Sequence, residues 1–274
     1  MAITNFIPTI WSAQLVESFA ETAVAAGLVN RSFEGDAKRG NVVKITGASA
    51  ITIGDYKADG RQTTTQAISD STQSLLIDQE RYYSFKVDDV DRAQAAGSLD
   101  AYTNSAATGL AEAADKFVLA TAVTGADADN VITGTLTTGD DAWNAVRDLR
   151  KALAKQHVPN ADRRLIINAE FEALLLSASS KLTGADTSGD PEGLRNAMIG
   201  RMLGFDVYVS ENLPTTDTPQ ALAFHASAVA FADQISEMEA VRATDSFADI
   251  IRGLHVYGAK VVKPEGVAVF NTGA

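Results

Sequence analysis

The chain has 274 residues, 46% hydrophobic and 21% charged, with a formal net charge of −12, which describes a globular protein of one large domain or two modest ones. So acidic a chain is a poor general binder of nucleic acid, because affinity for phosphate comes from Lys and Arg; beside DNA it would contain rather than grip. It has no cysteine, no apolar run of membrane-spanning length and no signal peptide in the opening MAITNFIPTIW, which excludes disulfides, thiolate metal sites and cysteine nucleophiles and fits cytoplasmic synthesis.

Residues 1–40 read as an arm. One helix is expected from Ile10 to Leu28, with Trp11, Leu15, Phe19 and Ala23 on one side, followed by a turn at Gly35, Asp36, Arg39, Gly40 and Asn41. Residues 41–89 change character. VVKI (42–45), ITI (51–53), SLLID (74–78) and RYYSFKVD (81–88) are strand-like, and Leu75, Ile77, Tyr83, Phe85 and Val87 alternate with mostly polar neighbours. The polar stretch KADGRQTTTQAISD (57–70) lies between the halves, so the segment reads as a long two-stranded hairpin with a polar tip. A lone hairpin is marginal in water. Its apolar face must therefore rest on its own domain or on a neighbouring copy, and the pattern fits both.

The acidic run Asp88 to Asp91 reads as a solvated turn rather than a metal site. It leads to the stretch around which the chain is organised, Ser98 to Gly125. Leu99, Tyr102, Ala106, Leu110, Ala113, Phe117 and Ala120 fall on one helical face, and Asn104, Thr108, Glu112, Asp115 and Lys116 on the other. Ser98 is the expected N-cap, and Gly125 the expected left-handed C-terminal residue. A helix of that length spans roughly 40 Å, and its thin, alanine-rich stripe suits close packing on a flat sheet. It reads as a structural spine.

Residues 125–140 read as a loop with at most a short strand. A helix follows from Asp141 to His157, with Trp143, Val146, Leu149 and Leu153 on one face, stopped by Pro159. RRLIIN (163–168) is a buried strand, Asn168 caps a helix that turns Phe171, Leu174 and Leu175 inward, and Asp190-Pro191-Glu192 starts another helix ending at Gly200. The chain then passes through Gly204, expected at positive φ, into the strand FDVYVS. ALAFH (221–225) is a further strand, and the alternation over 141–235 makes a small α/β domain. From Glu237 the chain is again strand-rich: MEAVRA, HVYGAKVV, a turn at Lys263-Pro264-Glu265-Gly266, and VAVF. These last strands are expected to supply the sheet on which the spine helix packs.

No catalytic constellation emerges. His157, His225 and His255 show no paired ligand at metal spacing, and the nucleophile elbow, the phosphate-cradling glycine loop and the dinucleotide fingerprint are all missing. No catalytic, cofactor or metal residue is assigned and the chain is read as a non-enzyme. Competing readings are a structural shell protein, a compartment shell that packages a cargo enzyme, and a small α/β enzyme.

The order arm, projecting hairpin, spine helix, inserted α/β domain, returning sheet resembles the major capsid protein of tailed bacteriophages, the Hong Kong ninety-seven type fold. The stretches VVKITGASAITIGDY, YYSFKVDDVDRAQA, IGRMLGFDVYVSENLP, AFHASAVAFADQI and GLHVYGAKVVKPEGVAV carry the resemblance. It implies an α+β phage major capsid protein fold: an N-terminal arm (1–40), an extended β-hairpin loop (41–89), a peripheral domain with the spine helix (90–130), an inserted α/β axial domain (131–235) and the C-terminal sheet of the peripheral domain (236–274). It also implies a subunit that self-assembles as pentamers and hexamers into an icosahedral shell enclosing double-stranded DNA, with the extended loop lying over a neighbour. Leu75, Ile77, Tyr83 and Phe85 are then the expected subunit-interface residues. The implied partners are other copies of the chain, a separate scaffolding protein and a portal protein, with a decoration protein as a further candidate; no cofactor and no membrane are implied. The arm is short for a family whose members in some cases carry a scaffolding segment before it. Lys57 lies in the loop, where some members form a Lys–Asn cross-link, but no partner asparagine or catalytic carboxylate can be placed. The alternative within this fold is an encapsulin-like bacterial compartment.

Overall fold

The computed structural model describes residues 23–33, 41–48, 51–58, 60–63, 65–67, 70–88, 100–177, 200–215, 217–244 and 246–272. Most of the expected arm helix, the acidic run beyond Asp88, the Ser98 cap and the helix expected after Asp190 lie outside them. In chain order the elements are α1 (Ala25–Leu28), β1 (Val42–Ala48), β2 (Asp70–Leu76), β3 (Gln79–Asp88), α2 (Asp100–Thr124), β4 (Val131–Gly134), α3 (Gly139–Lys155), β5 (Arg163–Ile167), α4 (Ala169–Leu175), β6 (Arg201–Met202), β7 (Phe205–Val209), β8 (Gln220–His225), β9 (Val229–Arg242), β10 (Ala248–Val261) and β11 (Val267–Thr272).

These strands form a two-stranded sheet β1-β2, a three-stranded sheet β3-β10-β9 and a six-stranded sheet β4-β11-β8-β5-β7-β6. Two pairings differ from expectation. β3 is not the second half of the hairpin: it pairs antiparallel with β10 from Gln79↔Tyr257 to Asp88↔Ala248, while the hairpin closes as β1 on β2, Val42↔Leu76 to Ala48↔Asp70. Ile51 to Ile53, expected as strand, lie outside regular structure. The last strand, β11, does not join the sheet of β9 and β10. It inserts between β4, parallel to it, and β8, antiparallel to it, and so completes the α/β sheet. The range 41–89 therefore holds a hairpin plus a strand of another sheet, and 236–274 serves two sheets.

The spine helix is α2, and its buried face is Ala114, Val118, Leu119 and Ala122, packed against Phe224, Phe231 and Tyr257. The face expected from periodicity, Ala106, Leu110, Ala113, Phe117 and Ala120, is only half-buried, and Tyr102 is exposed. The run Phe117-Val118-Leu119-Ala120 is apolar right round the helix, so spacing alone does not select a side. Gly125 ends the helix, its N–H donating to Thr121 O (2.9 Å), but without positive φ. Glycine is required there by space: a β-carbon would lie 2.5 Å from Val261 Cγ2.

Local signals were more dependable in the α/β part. Thr138 and Asp141 form a capping box at the start of α3: Asp141 N–H donates to Thr138 Oγ1 (3.3 Å), and Thr138 N–H donates to Asp141 Oδ2 (2.9 Å). Hydrogen bonds from the Thr138 hydroxyl, then from Thr137 and the Thr138 backbone, hold the Asp141 carboxyl below the usual carboxylate range. Asn168 caps α4 by accepting from Phe171 N–H (3.1 Å). Ala142, Ala145, Val146, Leu149 and Leu153 of α3 and Phe171 and Leu175 of α4 cover one side of the sheet, against Leu165, Ile167 and Phe205. Gly204 has φ 81, as expected, but in a different setting. With Leu203, also at positive φ (47), it makes the two-residue turn of the β6–β7 hairpin. Arg150 of α3 steadies this turn by donating to Leu203 O (2.9 Å).

The hairpin rests on β10 at Gly258, where a β-carbon would lie 2.0 Å from Leu76 O. Gly258→Ala is expected to lower stability by about 1–3 kcal/mol, as for other overpacked sites. Urea unfolding measures it, and an unchanged midpoint would mean that the hairpin does not sit there.

Candidate assembly surface

The four expected interface residues do not form one surface. Leu75 is 0% and Ile77 5% exposed. With Val43 and Ile45 they pack on Ala230 and Ala232 of β9 and Val256 of β10, with Phe33 and Val262 alongside. The expectation that a neighbour covers Leu75 and Ile77 is thus corrected, because their own subunit buries them. Alternation along the strand reported a covered face without saying what covers it. Tyr83 and Phe85 belong to β3 and are half-buried on the side facing α2. Their rings stack at 6.2 Å, Phe85 reaches Tyr102 at 6.4 Å, and Tyr83 lies over Gly253.

The exposed apolar residues lie elsewhere. Between β1 and β2 the chain carries Ile51, Ile53 and Tyr56, and Ile53 is 94% exposed. Within the loop, Thr52 N–H donates to Gln66 Oε1 (2.9 Å) and Arg61 N–H to Tyr56 O (2.7 Å), so it holds its own shape across its width. A second exposed set lies on the outer face of the three-stranded sheet. The register Tyr82↔Leu254 and Ser84↔Arg252↔Glu239 puts these five residues on one face. They line a shallow groove of about 380 Å³, with Tyr82 77% exposed on its wall and the Arg252 Nε–Glu239 Oε1 pair (2.5 Å) in it. Both sets were visible in the sequence: two isoleucines within polar surroundings at Ile51 and Ile53, and a tyrosine at Tyr82 out of phase with Tyr83 and Phe85.

The three histidines and Tyr257 are placed by the fold. His225 Nδ1 lies 2.9 Å from Ser227 Oγ and accepts from Ser227 N–H (3.2 Å). Burial holds its pKa below the usual histidine value, with Asp162 opposing. His157 ends α3 at φ 57, and His255 Nε2 lies 3.3 Å from Asp233 Oδ1. Burial pushes the Tyr257 hydroxyl up, with Arg81 opposing. Among the described residues no group of three His, Cys, Asp or Glu side chains could hold a metal ion, and no helix is long and apolar enough to cross a membrane.

Exposed apolar residues on the β1–β2 loop and on the outer sheet face suit a protein that assembles with copies of itself. The phage capsid protein family matches residues 69–270, and the chain belongs to that family. Its copies assemble into the shell of a phage virion as the major capsid protein. No curated protein matches the chain. A structure from Mycobacterium phage Che8 is 50% identical over 98% of each chain, with a TM-score of 0.89. The capsid structure of the cyanophage P-SCSP1u shares the fold at 17% identity, covering 98% of this chain and 93% of that one (TM-score 0.83). The capsid of a native GTA particle does so at 12% identity, 99% and 97% coverage (TM-score 0.72). The resemblance read from the sequence is the family found, and these likenesses are to capsids rather than to encapsulins.

Ile77→Asp buries a charge without a counter-ion. It is expected to destabilise the isolated subunit by on the order of 3–5 kcal/mol. A melting temperature equal to that of the unsubstituted chain would return Ile77 to the surface.

Proposed function

We propose that the chain builds an icosahedral shell of pentamers and hexamers around phage double-stranded DNA, in which the loop between β1 and β2 of each copy lies on the outer face of a neighbour's three-stranded sheet. One observation carries this: Ile51, Ile53 and Tyr56 are exposed on the loop between β1 and β2, and the same chain exposes Tyr82 and Leu254 beside a groove that also holds the Arg252–Glu239 pair. The three-stranded sheet with α2 serves as the peripheral domain. The six-stranded sheet with α3 and α4 serves as the axial domain, around the fivefold and sixfold centres. Burying one isoleucine side chain contributes about 1.5–3 kcal/mol, partly offset by ordering the loop. Each contact is then weak, and repetition over a closed lattice makes the shell strong. The role is structural and non-enzymatic. The shell is assembled in the host cytoplasm with a separate scaffolding protein and a portal protein, and its surface can accept a decoration protein.

Ile53→Asp tests the loop. The variant subunit is expected to melt like the unsubstituted one but to form no shells at concentrations where the latter does, as seen by electron microscopy. Normal shells from it would place the contact elsewhere. The net charge of −12 also implies weak DNA affinity for the free subunit. A gel shift at physiological salt should show little retention, and submicromolar binding would contradict a containing role.

A further inference from the structure

Two short turns join the two large sheets, residues 226–228 between β8 and β9 and residues 262–266 between β10 and β11. The turns are bonded to each other. Val262 N–H and Lys263 N–H both donate to Ala228 O (2.8 and 3.2 Å), and a β-carbon on Gly266 would lie 2.8 Å from that of Ala228. The two crossings therefore lie side by side, a natural axis for a change of angle between the sheets.

One short segment spans the same junction. Helix α1 has four residues, too few to be stable alone. Asp115, 0% exposed on α2, holds its start: Oδ1 accepts from Ala25 N–H (2.6 Å) and Ala26 N–H (3.3 Å), and Oδ2 accepts from Asn212 Nδ2 (3.2 Å), in the segment after β7. Arg164 of β5 holds its end, donating through Nη1 to Leu28 O. Both charges have the sign that the helix dipole favours. Asn30 then bridges to β9: its N–H donates to Val229 O (2.9 Å), and its C=O accepts from Phe231 N–H (3.0 Å). Six consecutive residues thus touch the spine helix, the six-stranded sheet and the three-stranded sheet.

We propose that residues 25–30 are a strap that fixes the angle between the two sheets, with Asp115 as its latch, so that docking of the arm sets the shape of the subunit. The chemistry of the latch makes docking all-or-none. A fully buried carboxylate is tolerated only while its oxygens are satisfied. If α1 leaves, Asp115 loses both of its backbone donors, and water must enter the seam to replace them. Intermediate positions satisfy neither state, which is the property of a two-state device.

Hydrogen–deuterium exchange on the unassembled subunit tests the latch with two variants, Asp115→Ala and Arg164→Met. Each removes charge-assisted hydrogen bonds, so exchange over residues 25–31 should rise about ten- to a hundredfold, while β5 and β8 keep their protection. Should Asp115→Ala fail to fold, Arg164→Met alone decides. Unchanged exchange over 25–31, or a rise spread evenly through the subunit, would overturn the strap. The angle-setting half rests on the shell reading and is measured by electron microscopy of shells from the same variants. Mixed diameters or open, irregular sheets are expected. Uniform shells of normal diameter from a variant whose strap exchanges freely would refute angle-setting and leave the shell reading intact. If the unsubstituted chain forms no closed icosahedral shells even when its scaffolding protein is supplied, the icosahedral reading fails while exchange still decides the latch.

Discussion

Everything else in the subunit depends on the seam where α2 crosses the junction of the two sheets. Phe224 at the end of β8, Phe231 early in β9 and Tyr257 in β10 meet there under Ala114, Val118, Leu119 and Ala122. Small residues on the helix let its backbone approach, so the aromatic rings fill the space between helix and sheet instead of propping them apart. Phe231 and Tyr257 lie 6.0 Å apart, and Phe117 meets Tyr257 edge-on at 5.8 Å. Because the chain crosses the junction at each of two adjacent turns, a change of angle between the sheets has to repack this cluster, which includes Ala25 and Val29 of the strap. The same core takes in Ala25 and Val29 of the arm, which explains why so short a helix is ordered at all.

That arrangement divides the subunit into parts with different work. The hairpin is anchored at its base, where Val43, Ile45, Leu75 and Ile77 join β9 and β10, and is exposed at its tip. A loop with a buried root and an apolar end can project without loosening the fold that carries it. The acidic surface has the opposite tendency, since like-charged copies repel at long range. Contacts that are individually weak and short-ranged, repeated on every copy, allow association only when many form together.

How much of this was legible in the sequence follows from how local each interaction is. Helices α3 and α4, the Asn168 cap, the buried strand β5 and the positive φ at Gly204 depend on neighbours within a few residues and were readable, while the Thr138 cap that starts α3 two residues before the expected Asp141 was not read. The pairing of β3 with β10 joins Gln79 to Tyr257, and β11 enters a sheet begun far upstream; no periodicity encodes a partner at that distance. The spine helix was legible in extent but not in facing, because apolar residues surround its C-terminal half. Asp115 was assigned to the solvent side for its charge. Its burial depends on three donors, from Ala25, Ala26 and Asn212, whose approach is a property of the whole fold.

The candidate surface was misplaced for a further reason, one that concerns shell proteins in general. Apolar residues alternating along a strand, such as Leu75 and Ile77, record that a face is covered, and a fold covers its own faces first. A contact between copies must use what the subunit leaves uncovered. In sequence such residues stand out as apolar side chains where the surrounding pattern gives no reason for them, as at Ile53 in a polar loop or Tyr82 on the side opposite Tyr83. A regular apolar pattern is therefore evidence against an assembly role, and an isolated apolar residue on a projecting element is evidence for one. By that measure the proposed interface passes from the root of the hairpin to its tip, and from the inner face of the three-stranded sheet to its outer face.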